Sequence, residues 1–168
     1  MSLSLEFKTK LLEKEDELHL RALFSSLDER TAEYYGRFDN LINNAKEIAR
    51  KIINDRYEIG VLMTINGMPI GYAHLYLSQK ESRKHSAGFG MVIAPRFQGM
   101  GLGKKLIKEI FSLARYWNIK KIWLHVYDFN ERAFKLYKKT GFKKVGTFYK
   151  EEFKLGKYRD IIVMEKLV

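Results

Sequence analysis

The chain has 168 residues, 46% of them hydrophobic and 14% aromatic, no cysteine, and 31 Lys plus Arg against 20 Asp plus Glu, for a formal charge of +11. That size and apolar content suit one folded domain over residues 1–168 and exclude a disordered tail, while the missing cysteine excludes a disulfide scaffold, a thiolate nucleophile and a thiolate metal site. No apolar run approaches the roughly 20 residues that span a bilayer, and the start MSLSLEFKTK lacks the pattern of a secretory leader, so a cytoplasmic setting without a membrane partner is expected.

Residues 3–11 alternate well enough for a first strand. A helix follows with Leu18, Ala22 and Phe24 on its apolar stripe, then DERTAEYYGRF as helix or irregular chain, then a second helix carrying Leu41, Ile42, Ala45, Ile48, Ala49 and Ile52. Residues 58–65 read as a strand, and Asn66-Gly67 is a strong hairpin signal before the return strand MPIGYAHLYLS. A third strand of this group, HSAGFGMVI, stops at Ile93 before APRF. Leu102, Leu106, Ile107, Ile110, Phe111 and Ala114 then mark a helix with lysines opposite. KIWLHVY is a strand, NERAFKLYKKTG a short helix closed by Gly141, and the end a hairpin turning at LGK. The succession predicts a mixed α/β fold of α+β type, with a mostly antiparallel sheet of about six to seven strands flanked by helices.

Between strand and helix the chain reads RFQGMGLGKK. Glycine costs about 0.8 to 1.0 kcal/mol in a helix interior, so Gly99, Gly101 and Gly103 point to a backbone with a task of its own. Free amides at a helix N-terminus, with no side chain to block approach, form an anion site. Two phosphate motifs fail on spacing. A Walker A loop lacks its hydroxyl, because Lys105 stands in that place, and a dinucleotide fingerprint would need glycine at Lys104.

Gln-x-x-Gly-x-Gly, from Gln98 to Gly103, resembles the signature of the GNAT superfamily of acetyltransferases, and LHVYDFNERAFKLYKKTGF resembles that family's second cofactor motif through Asn130, Ala133, Leu136, Tyr137, Gly141 and Phe142. The likeness implies the splayed GNAT sheet and acetyl-CoA as cosubstrate, with no metal. It implies that Met91, Val92 and Ile93 offer main chain to the pantetheine arm, and that Gln98, Gly99, Met100, Gly101, Leu102, Gly103 and Lys104 hold the phosphates, with Asn130 and Tyr137 completing the cofactor site. Tyr137 stands where relatives place the acid that protonates the leaving thiolate; alternatively it is an aromatic packing one turn from Ala133.

Trp123, His125 and Tyr127 share one strand face. His125 precedes Tyr137 by twelve residues, the interval at which relatives acting on protein N-termini often carry a glutamate base. A histidine near pKa 6.5 accepts protons well at neutral pH. It could equally be a packed strand residue, and a water chain remains open, because Gly88 falls where other members carry a glutamate. Glu29, Glu33, Tyr34 and His74 are candidate acceptor-site residues, and the alternative for the two glutamates, one helical turn apart, is a solvated pair.

The function expected is transfer of an acetyl group to a primary amine by direct attack in a ternary complex, the acceptor being a small amine or amino acid, or a protein or peptide N-terminus. The alternative is a non-catalytic acyl-CoA-binding module. Net charge alone suggests nucleic acid, no recognised motif supports it, and it is not the expected partner. Dimers are frequent among members of the family, so a homodimer is compatible with the resemblance.

Overall fold

The structure is a computed structural model and describes residues 6–168, which leaves the first three residues of the expected opening strand outside it. Seven strands form one sheet, in the order β1 (Phe7–Leu11), β2 (Glu58–Ile65), β3 (Met68–Leu77), β4 (Ser86–Ile93), β5 (Lys121–Tyr127), β7 (Lys157–Leu167) and β6 (Lys143–Lys154). All neighbours are antiparallel except β4 and β5. Both hairpins turn on a pair of left-handed residues, Asn66 with Gly67 and Leu155 with Gly156, the geometry whose twist matches the flanking strands.

The helices are α1 (Glu17–Ser25), α2 (Glu29–Tyr35), α3 (Ala45–Ile53), α4 (Leu102–Tyr116) and α5 (Glu131–Lys139). On one sheet face, Leu106, Ile107 and Ile110 of α4 pack on Met63, Ala73, Leu75, Ala87, Ile122 and Leu124, with Tyr137 and Phe142 closing the same core. On the other, α1 and α3 lay Leu20, Leu23, Phe24, Ile48, Ala49 and Ile52 over Tyr72 and Val92. The stripe of α1 differs from the sequence reading. Leu20, Leu23, Phe24 and Leu27 are buried at spacings of three and four, whereas Leu18 is 70% exposed and Ala22 faces solvent. A frame shifted by two residues fits the apolar set better because it takes in Leu27, which ends the helix against the core.

β4 and β5 pair only over Ser86 with Lys121, Ala87 with Ile122, and Gly88 with Trp123. Beyond that point β5 keeps its pairing with β7 and β4 its pairing with β3, and the sheet opens into a V. The pairing of Ala94 N–H with the Ile70 carbonyl fixes the alternation along β4, so the main-chain groups of even residues face β3 and those of Met91 and Ile93 face the gap. This stretch of β4, which no strand pairs on the side of the gap, is the fold's main contribution to the site.

Candidate active site

The V is the wall of a cleft of about 1400 Å³, larger than the roughly 300 to 1,000 Å³ of most small-ligand pockets and suited to a long ligand plus an acceptor. At its rim, Gly99 and Gly101 adopt left-handed conformations with φ of 85° and 77°, and Gly101 caps α4. A Cβ on Gly101 would meet nothing within 4 Å, so the approach to the backbone is open. Gln98 N–H bonds the Pro95 carbonyl and Lys104 N–H the Gly101 carbonyl. Among the described residues, the amides of residues 99 to 103 between them donate to no backbone carbonyl. Unpaired donors in series at the positive end of a 15-residue helix make an anion cradle.

The other loop residues have different tasks. A Cβ on Gly103 would stand 2.8 Å from Leu136 and 3.1 Å from the Met91 methyl, so this glycine lets α4 pack closely on α5 and β4. The Gln98 amide donates to the Ile93 carbonyl at 2.9 Å and to the Thr31 hydroxyl at 3.2 Å, and its oxygen accepts from Arg132 at 3.3 Å. Its side chain therefore ties the loop to β4, α2 and α5. Asn130 caps α5 by accepting the Ala133 N–H at 3.2 Å. Met100 and Lys104 lie on the open side of the loop, while Leu102 is buried in the core.

Tyr137 enters the cleft from the α4 and α5 face. Its ring is 7% exposed and meets Phe89 and Phe142 edge-on at 5.9 and 5.8 Å. Burial pushes its hydroxyl well above the usual tyrosine value, which keeps the proton in place. Packing residue and proton carrier are thus compatible roles for one side chain.

On the opposite face Trp123 and His125 are exposed to the cleft, and Ile122, Leu124 and Val126 are buried beneath. The Trp123 indole lies 3.0 Å from where a Cβ on Gly88 would sit, so the ring fills the place of the side chain that Gly88 lacks. His125 sits between Trp123 at 5.3 Å and the edge of Phe148 at 5.7 Å. Desolvation lowers its pKa, opposed by Glu151 and Glu152, so the imidazole is neutral at pH 7.

The acceptor candidates separate. Tyr34 and His74 line the cleft, the Tyr34 ring meeting Phe129 at a tilt with centroids 5.3 Å apart. Glu29 and Glu33 do not, despite sharing a helix with Tyr34. Glu33 instead pairs with Lys154 at 3.2 Å, together with Asp39 at 3.7 Å and Glu152 at 3.8 Å. α2 turns them away because its cleft side is taken by Thr31, Tyr34 and Tyr35. Sequence reasoning missed Arg37 and Glu58, a bidentate ion pair in which Arg37 lines the cleft and the Glu58 side chain, 1% exposed, also accepts from Tyr72. It missed Glu152 as well, which lines the cleft and accepts from the Tyr127 hydroxyl at 2.6 Å. One signal existed: Glu58 opens an otherwise apolar strand that is buried through most of its length.

The family model for the acetyltransferase (GNAT) family matches residues 18–142. The chain belongs to the GNAT family. It is 31% identical over 104 residues to an L-amino acid N-acetyltransferase of Escherichia coli, a match covering 61% of this chain and 64% of that protein. It is 32% identical over 142 residues to the spermidine N(1)-acetyltransferase of Vibrio cholerae, covering 77% and 72%. Among solved structures, spermidine N-acetyltransferase from Vibrio cholerae in complex with CoA and spermine superposes with a TM-score of 0.78 at 27% identity, over 96% of this chain and 95% of that one. A GNAT acetyltransferase from Streptococcus pneumoniae superposes with a TM-score of 0.79 at 24% identity, over 97% and 100%, and shares the fold.

Proposed function

We propose that this GNAT protein is an acetyl-CoA-dependent N-acetyltransferase acting on a small amine or amino acid by direct attack in a ternary complex. One observation carries the reading. The unpaired amides of residues 99 to 103 sit at the end of the unpaired β4 edge, so a diphosphate on the loop directs an extended amide-bearing arm along Met91 and Ile93 toward the vertex of the V. Tyr137 and His125 reach that region from opposite sheet faces.

A primary amine of pKa about 10.4 is neutral roughly one time in 10^3 at pH 7, which adds about 4.6 kcal/mol to the barrier unless the site removes the proton. His125, neutral and facing the cleft, is placed for that transfer, directly or through water. Attack on the thioester carbon expels a thiolate, and Tyr137 supplies its proton. A phenol at its ordinary value near 10 gives a proton to a thiolate near 8.5 uphill by about 2 kcal/mol, and burial of the Tyr137 hydroxyl adds to that cost. The relatives' names support the acceptor class, one naming amino acids and the other spermidine. A peptide N-terminus is the remaining class.

The test is thiol release from acetyl-CoA across amino acids, polyamines, aminoglycosides and peptides. Release that requires an added amine supports the reading. A non-catalytic acyl-CoA-binding module, the reading favoured by Gly88 in place of a carboxylate, would give affinity for acetyl-CoA and no turnover with any amine.

A further inference from the structure

His74 of β3 is 4% exposed, yet it lines the cleft. Its Nδ1 faces the interior, 3.4 Å from the Tyr35 hydroxyl and 3.9 Å from Glu58, and the ring stacks on Tyr72 at 5.4 Å. Glu58 is committed to Arg37 and to the Tyr72 hydroxyl. The other edge points at β4. Cε1 and Nε2 lie 2.6 and 2.9 Å from where a Cβ on Gly90 would stand, so the imidazole occupies the volume that this glycine leaves. Among the described residues no buried side-chain nitrogen or oxygen lacks a partner, and Nε2 bonds no protein atom, so Nε2 is the atom of this buried ring that opens on the cleft.

The tautomer follows from the neighbours. The Tyr35 hydroxyl has a hydrogen to give and lies 3.4 Å from Nδ1, the ring nitrogen turned to the interior. The neutral ring then carries its hydrogen on Nε2. Burial, and next the charge of Arg37, oppose protonation of this histidine, so it is a poor proton acceptor and a persistent neutral donor. A neutral imidazole in that state can polarise a carbonyl without taking a proton.

We propose that the Nε2–H of His74 donates a hydrogen bond to the acyl carbonyl oxygen, from the face of the sheet that carries Trp123 and His125. The proposal rests on the acetyl-transfer reading above. As the amine nitrogen bonds to the thioester carbon, the carbonyl electron pair moves to oxygen and is held by Nε2–H. The carbonyl re-forms as the C–S bond breaks, the thiolate takes the Tyr137 proton, and the second amine proton passes through water to restore the Tyr137 phenol, while His125 returns the first proton to solvent. Products are the N-acetyl amine and the free thiol.

The test compares full-length His74→Phe, which keeps the ring volume without a donor, with His74→Gln, which keeps a donor. The expected result is a fall in kcat of about a hundredfold for H74F with KM for acetyl-CoA within about threefold of the parent, and recovery of most of the loss in H74Q. Thermal unfolding checks that both variants fold. On the unsubstituted protein, nitrogen-15 NMR of the imidazole needs no variant and is expected to give the Nε2–H tautomer. Retained kcat in H74F, equal losses in both variants, or an Nδ1–H tautomer would overturn the proposal alone. Absence of amine-dependent thiol release in the parent protein would instead overturn the transfer reading, and this proposal with it.

Discussion

The Tyr137 hydroxyl is shifted up and the His125 imidazole down, which separates the roles proposed for them. Burial raises the Tyr137 hydroxyl, so it stays protonated throughout the neutral range and its loss removes a donor without removing a charge. Tyr137→Phe keeps the edge-on contacts with Phe89 and Phe142, so kcat is expected to drop by about 10² to 10³ while acetyl-CoA affinity, measured by calorimetry, holds. His125 has its pKa lowered by desolvation, and the acceptor form is the neutral one. The rate at saturating acceptor is therefore expected to stay level from pH 7 down to about 6.5, and to fall as the pH passes the depressed pKa below it. His125→Gln is expected to remove that limb, as pH profiles of the two proteins will show. An unchanged limb would assign the proton to a water path. The place of these two residues in the cleft was legible because each carries a chemistry-bearing atom at a recognisable interval from a motif.

At the scale of elements, the glycine loop and α4 divide their glycines between two tasks that the spacing alone did not separate. Gly101 is left-handed and open, so Gly101→Val strains the backbone and shields the amides; its main expected effect is weaker CoA binding, by tenfold or more. Gly103 has ordinary helical geometry and packs against Leu136 and Met91, so Gly103→Ala is expected to lower the unfolding midpoint, by about 1 to 3 kcal/mol of overpacking. Calorimetric titration and thermal melts on the two variants read these effects independently. Equal loss of CoA affinity with no change in melting would contradict the division. Hairpins were the most legible elements, because Asn66-Gly67 and Leu155-Gly156 demand left-handed residues that few pairs supply. The stripe of α1 was less legible. Leu18 and Ala22 are apolar and regularly spaced, yet only the sheet decides which face is covered.

For the molecule as a whole, the V requires that β4 and β5 separate and that something hold the far wall in place. Arg37 and Glu58 do this, joining the segment after α2 to the start of β2 across 21 positions of sequence. No local pattern encodes such a pair, which is why the network around His74 escaped the sequence while the glycine loop did not. Arg37→Met strands a carboxylate that is 1% exposed, so a loss of about 3 to 5 kcal/mol of stability is expected, with much of it recovered when Glu58→Leu is added. Denaturant melts of the single and double variants measure it. A single variant as stable as the parent would mean that Tyr72 alone satisfies the Glu58 carboxylate. No helix among the described residues is long and apolar enough to cross a membrane.

The loop amides give the account its most direct test. In a titration of the nitrogen-15-labelled protein with coenzyme A, followed through its backbone amide resonances, the account expects the largest shifts at residues 99 to 103, with smaller ones at Met91 and Ile93. Binding that leaves those amides unmoved, with the shifts gathered at another surface, would contradict it.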